Sequence, residues 1–306
     1  MTLTHGKLQS GIAEWRATRA HRSRFLRAVF QTAGARIGAA IIFCILVVGI
    51  FGPFAAPHDP AELLTTPFAA PSGKMLLGGD FLGRDALSRF LWGGRTIIVM
   101  AVISMLCVYL VGITIGLLMA YRRGLVDGIA SGVLDLALAF PPLIFVLVLM
   151  SALGTHLWLV VVGVVVIFAP RVARIVRGAA LDVVVQEFVE AAVARGEKTR
   201  SVLSREILPN LWPPLLADFG IRATWVVILI ASLGFLGFGQ QPPAADWGSL
   251  ISENSSGLLV EPWPVLAPLC TLALLTIGIN LVADGIIRAL SRSGEVDENT
   301  AGTELV

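Results

Sequence analysis

The sequence predicts an all-α membrane protein with six transmembrane helices and both termini cytoplasmic, and three observations carry that reading. Hydrophobic residues make up 56% of the 306 and charged residues 14%, where a soluble domain carries roughly 25% charged residues. Mean hydropathy is +0.82. Six apolar segments, near residues 37–54, 96–120, 127–150, 157–174, 214–239 and 265–287, are each long enough to cross about 30 Å of hydrocarbon at about 1.5 Å per residue. With the N-terminus placed inside, 18 of the 23 lysines and arginines fall on the inner side and 4 on the outer side, with Arg222 inside the fifth span. That asymmetry satisfies the positive-inside rule.

The elements follow in order. Residues 1–36 form a basic segment carrying Lys7, Arg16, Arg19, Arg22, Arg24, Arg27 and Arg36. Its aromatics Trp15, Phe25 and Phe30 suit an interfacial position or a purely topogenic role. The apolar run after it exceeds a usual signal-peptide core, and Pro57 behind Ala55-Ala56 disfavours cleavage, so it reads as an uncleaved first span. A Pro- and Gly-rich outer loop covers about 55–95. Gly112 and Gly116 in the second span make a GxxxG pattern, which favours close helix approach. The third span holds Asp135 and is interrupted by Pro141-Pro142. An aspartate at mid-span costs about 2.5–3.5 kcal/mol on insertion scales, so Asp135 either lines a pathway or bonds a neighbouring helix. The sixth span holds Asn280, a further candidate for a pathway or interhelical polar contact. Four residues apart, Asp284 and Arg288 are spaced to pair on one helix face. The acidic tail, 291–306, with Glu295, Asp297, Glu298 and Glu304, is expected to be solvated and disordered.

One long polar stretch stands apart. "EFVEAAVARGEKTRSVLSREILPN", 187–210, lies in a cytoplasmic loop of about 178–210. Leu181, Val184, Val185, Phe188 and Ala192 recur at helical spacing, with Asp182, Gln186 and Glu190 on another face. Gly196 suits a left-handed helix end. A second helical run over about 199–208 is expected to stop at Pro209, which cannot continue the hydrogen-bond ladder.

Glu190-Ala191-Ala192, then Gly196, then Ile207-Leu208-Pro209 resembles the EAA loop of the permease subunits of bacterial ABC importers. "LLGGDFLGRDALSRFLWGGRT" (76–96), "AFPPLIFVLVL" (139–149), "SLGFLGFGQQPPAADWG" (232–248) and "INLVADGIIRAL" (279–290) are similar to the dipeptide, oligopeptide and nickel subfamily, most of all to its second permease. The resemblance implies a type I ABC importer permease fold over 37–290 and a multi-pass place in the bacterial inner membrane. It also implies coupling to ATPases through Glu190, Ala191, Ala192, Gly196, Ile207, Leu208 and Pro209. Implied partners are a second, homologous permease as heterodimer, one or two ABC ATPases, an extracytoplasmic substrate-binding protein, membrane lipid and a di- or oligopeptide substrate. Nickel or another small solute stays open as cargo. The chain departs from the pattern at Ile230, where many relatives carry Glu, and at Gly234, where they carry Ser.

The residues exclude several classes. "GEKT" (196–199) lacks the glycine spacing of a phosphate loop, so the chain is expected to bind no cofactor and to leave ATP and Mg to its partners. "GFLGFG" (234–239) has the wrong spacing for a dinucleotide site and reads as small residues for packing. Cys44, Cys107 and Cys270 lie in separate apolar runs, and His5, His21, His58 and His156 are scattered. This leaves no metal set and no nucleophile–base pair, and so no enzyme. A net charge of +2 without a basic-aromatic tract gives no sign of nucleic-acid binding. An ATP-independent channel or secondary transporter is the alternative class, with inverted repeats as its expected signature. No internal repeat is evident.

Overall fold

The computed structural model describes residues 27–240 and 244–303, with side chains as far as 291. The basic segment before Arg27 and the acidic side chains of the tail lie outside the described residues. Helix α1 (Ala33–Ala55) is N-capped by Thr32, whose hydroxyl accepts from the Ala35 amide. Helix α2 (Ala86–Arg122) is capped by Asp85. Then come α3 (Gly124–Ala139) and α4 (Pro142–Leu153), followed by α5 (Leu157–Val184) and the short α6 (Glu187–Ala194). Helix α7 (Trp212–Leu233), α8 (Trp247–Asn254) and α9 (Trp263–Thr303) complete the order. Among the described residues, β structure is limited to two isolated bridges, Leu63 with Arg84 and Gly79 with Asp85.

Among the described residues, five helical runs are long and apolar enough to cross a membrane. The sixth crossing differs from expectation. Helices α3 and α4 meet at an 88° bend, so 127–150 is not one straight helix but a bent pair, with the geometry of a broken span or a re-entrant loop. Phe140-Pro141-Pro142 explains the break: residues before proline are pushed to extended backbone, and Phe140 and Pro141 have ψ of 135° and 127°. Pro142 then opens α4 at a position where its missing N–H costs nothing.

The other prolines break less. Pro209 was expected to end a helix, yet the chain stays helical from Thr199 to Phe238. A turn at Thr199–Ser201 widens to a π turn (Val202–Ile207), tightens to a 3₁₀ turn (Leu208–Leu211) and enters α7. Changing the hydrogen-bond period spares the amide that Pro209 lacks. The backbone of the tail, expected to be disordered from 291, continues α9 to Thr303.

Packing relies on small residues where backbones meet. A Cβ built on Gly112 would lie 2.7 Å from Val172 Cβ, and one on Gly116 would lie 2.5 Å from the Ala173 carbonyl. The GxxxG therefore seats α2 directly on α5. In the same way Gly38 brings α1 against Gly278 of α9. The main core joins α2, α4, α5, α6 and α7 around Val108, Val164, Phe168, Val172 and Val226. A second core surrounds Trp247, which is stacked on Phe90 and donates to its carbonyl at 2.9 Å. Phe43, Leu106 and Leu110 leave about two thirds of their area open on the outside of the bundle, as a hydrocarbon solvent allows and water does not.

Candidate functional site

The loop between α5 and α7 gathers the motif at one end of the bundle. Helix α5 stops at Val185 and Gln186, and α6 restarts with Gln186 extended. This break shifts the helical phase, which corrects the expected buried face. Phe188 is 43% exposed and Val185 57%, while Val189 and Ala192 are buried. Gly196 takes φ +76°. Its amide donates to Val193 at 2.9 Å, and the Glu197 amide donates to Ala192 at 3.2 Å. That pair of bonds is a Schellman ending, which requires a left-handed residue at this position. Glu197 accepts from Arg195 and Ser201, and the Arg195 guanidinium holds its carboxyl below the usual range.

The motif residues thus divide by direction. Ala192 and Ile207 are buried and Leu208 partly so, and they pack with Val189, Val202 and Leu211 into the main core. Glu190, Ala191 and Pro209 face outward, beside Phe188 and Val193. The result is a short helix bolted to the bundle by one face and presenting acidic and apolar side chains on the other.

The polar residues inside the spans are mostly paired. Asp135 meets Arg174 of α5, so it makes an interhelical ion pair on exposed surface. Asp127 accepts from Arg177 at 2.6 Å. Asn280 donates to the Thr276 carbonyl one turn back at 2.9 Å, a bond within its own helix. Asp284 and Arg288 were expected to pair. Both are exposed, and among the described residues no ion pair joins them, because spacing brings two side chains within reach without fixing their rotamers. Ile230 is partly buried between the two cores. Gly234 and Gly239 close around the Asp246 carboxylate, which caps α8 and accepts from the Gln240 amide at 2.9 Å.

Two clusters escaped the sequence reading. In one, Asp218 of α7 accepts from the Tyr109 hydroxyl at 2.8 Å and from Arg222, one turn further on, at 2.5 Å. All three come from spans, and the i, i+4 spacing of Asp218 and Arg222 was a legible signal. The other lies at the opposite end from the loop between α5 and α7. Arg89, fully buried, donates to Asp80 at 3.0 Å and to Glu253 of α8 at 3.0 Å, and Arg84 donates to Asp80 at 2.7 Å. Asn254 accepts from the Phe81 amide at 2.9 Å. Burial, beside the charges of Asp80 and Asp246 and against that of Arg84, pushes the Glu253 carboxyl up to about 7.

Residues 112–293 match the family model described as the inner membrane component of binding-protein-dependent transport systems. The chain belongs to this family. It is therefore a non-catalytic, multi-pass permease component of ABC importers, and the matched stretch contains the whole 178–210 loop. It is 32% identical to the glutathione transport system permease protein GsiD of Pectobacterium atrosepticum, over 82% of this chain and 85% of that one. It is 30% identical to the di/tripeptide transport system permease protein DppC of Pseudomonas aeruginosa, over 87% and 90%. The dipeptide transport system permease protein DppC of Alkalihalophilus pseudofirmus is 29% identical over 84% of each chain. Among solved structures, the inward-facing MetNI methionine ABC transporter superposes with TM-score 0.52 at 20% identity, covering 66% of this permease and 96% of that chain. The superposition supports the shared fold.

Proposed function

We propose that this permease carries small peptides across the inner membrane, paired as a heterodimer with a second, homologous permease. The reading continues with one or two ABC ATPases on the cytoplasmic side, where both termini and the 185–211 loop lie, and a peptide-loaded binding protein on the other. ATP and Mg belong to the ATPases. The observation that carries the coupling role is the two-faced α6: Val189 and Ala192 fix it to the core while Glu190, Ala191 and Phe188 face away from the chain. A helix held in this way moves as one piece with Val202, Ile207 and Leu211 beneath it, so a push on its outer face reaches the start of α7. Small peptides are favoured as cargo by the relatives, whose names give dipeptides, di- and tripeptides and glutathione.

The test is to tag the chain, extract it gently from its native membrane and identify what co-purifies. A second permease and P-loop ATPases, lost when Phe188 and Glu190 are replaced by Ala and Arg without loss of folding, are the expected result. A chain that emerges alone and moves solute in ATP-free vesicles overturns the reading.

A further inference from the structure

The geometry points to Arg171 as an intramembrane binding site for a carboxylate of the transported solute. The inference rests on the peptide reading above. Four arginines lie within the bodies of α5 and α7, and three have an acidic partner: Arg174 with Asp135, Arg177 with Asp127 and Arg222 with Asp218. Among the described residues no carboxylate comes within ion-pair distance of Arg171. Its guanidinium lies over the Phe168 ring at 5.6 Å, and that of Arg222 approaches the same ring at 5.8 Å. The nearby anion, Asp218, is already engaged by Arg222 and the Tyr109 hydroxyl. The locality therefore holds one positive charge in excess.

Arg171 is one of the 18 cations on the inner side of the positive-inside count, although it falls within the fourth apolar segment, 157–174. In the structure α5 runs on to Val184, and Arg171 lies about 21 Å along the helix axis from Leu157 at about 1.5 Å per residue. A cation within a membrane-spanning helix and without a carboxylate partner is costly, and such a position is by default a functional one. Its access fits that role. Arg171 is half-buried and shares a stripe of α5 with exposed Arg174 and exposed Gly178, where no other part of the chain comes within 4 Å of a Cβ built on the glycine. Its donors fit as well. An arginine laid on an aromatic face keeps its N–H groups free at the edge, in the fork that matches a carboxylate. Every unmodified peptide ends in a carboxylate whatever its side chains, so a site for that group would tolerate varied sequences.

The test uses the complete transporter with its partner permease, ATPases and binding protein, reconstituted in liposomes. Uptake of trialanine and of trialanine amide is measured for the wild type, R171Q and R171K. The expected result is a preference for trialanine over the amide that falls about tenfold in R171Q, the scale of one lost charge-assisted hydrogen bond, and is partly restored in R171K. Thermal stability supplies an independent readout: removing an unpaired intramembrane cation should leave the melting temperature equal or higher. Equal effects on both peptides, or a lower melting temperature in R171Q, overturn the proposal and leave the peptide reading standing. A complex that falls apart in R171Q assigns the guanidinium to the second permease and also overturns it. If the wild type moves neither peptide, the peptide reading and this proposal fall together.

Discussion

Gly196 permits a prediction in which one physical effect is isolated. Its φ is +76°, and a Cβ built there meets nothing within 4 Å. A side chain at this site therefore brings no clash with the rest of the protein, and the whole cost is conformational. For an L-residue in the left-handed region that cost is about 1–2 kcal/mol, larger for a β-branched residue and smaller for asparagine. The Schellman bonds of Gly196 and Glu197 both depend on this conformation, so Gly196→Val must strain the backbone or release the end of α6. A penalty of 1–2 kcal/mol corresponds to a factor of roughly 5–30 in an equilibrium. The expected outcome is an ATPase affinity for the permease weakened by about that factor, with transport reduced accordingly. Gly196→Asn should lose much less. Binding is measured with purified ATPase on permease held in nanodiscs, and coupling by uptake in the same preparation. A Val variant that binds and couples like wild type, or an Asn variant as impaired as Val, refutes the reasoning.

Two further outcomes follow from packing and charge. Gly116→Leu should lower the melting temperature in detergent strongly, because its Cβ would lie 2.5 Å from the Ala173 carbonyl and 2.7 Å from Val176 Cβ; overpacking of this kind costs about 1–3 kcal/mol or more. Gly128→Ala, with nothing within 4 Å, serves as the control and should not. Glu253 predicts a pH dependence: its carboxyl is raised from 4.5 to about 7, so the folded state holds the proton more tightly than the unfolded one. The stabilisation is complete below about pH 4.5 and is lost as pH rises to about 7. Melting temperatures between pH 5 and 7.5 should fall with rising pH, less steeply in Glu253→Gln, and an unchanged slope in that variant removes Glu253 as the source.

Much of the architecture is legible in the chain because hydrocarbon solvent demands long apolar runs, and the GxxxG and Gly196 readings follow from sterics local to each residue. Other features depend on partners distant in sequence. The clamp of Arg89 on Glu253 spans 164 positions, and no periodicity encodes it. Val185-Gln186 breaks α5 without a glycine or proline, so its effect on the α6 register is invisible until Val189 is seen buried in place of Phe188. The Pro141-Pro142 signal was visible, but its consequence depends on how far the two halves swing, which neighbours decide. Asp284 and Arg288 show the converse, an allowed pairing that the folded helix does not make.

The π turn at Val202–Ile207 precedes α7 like a spacer on a shaft, whereas at the other end the helix breaks at Gly237, whose φ is +86°. The π turn holds about one residue more than a regular turn would, and that residue is worth about 100° of rotation about the helix axis. Deleting a single residue from the spacer would turn α7 relative to the 185–211 loop, and the casualty would be the seat of Val202 and Ile207 beneath α6. The angular setting between that loop and α7 is thus written in residue count, and the apolar sequence of α7 could vary without altering it.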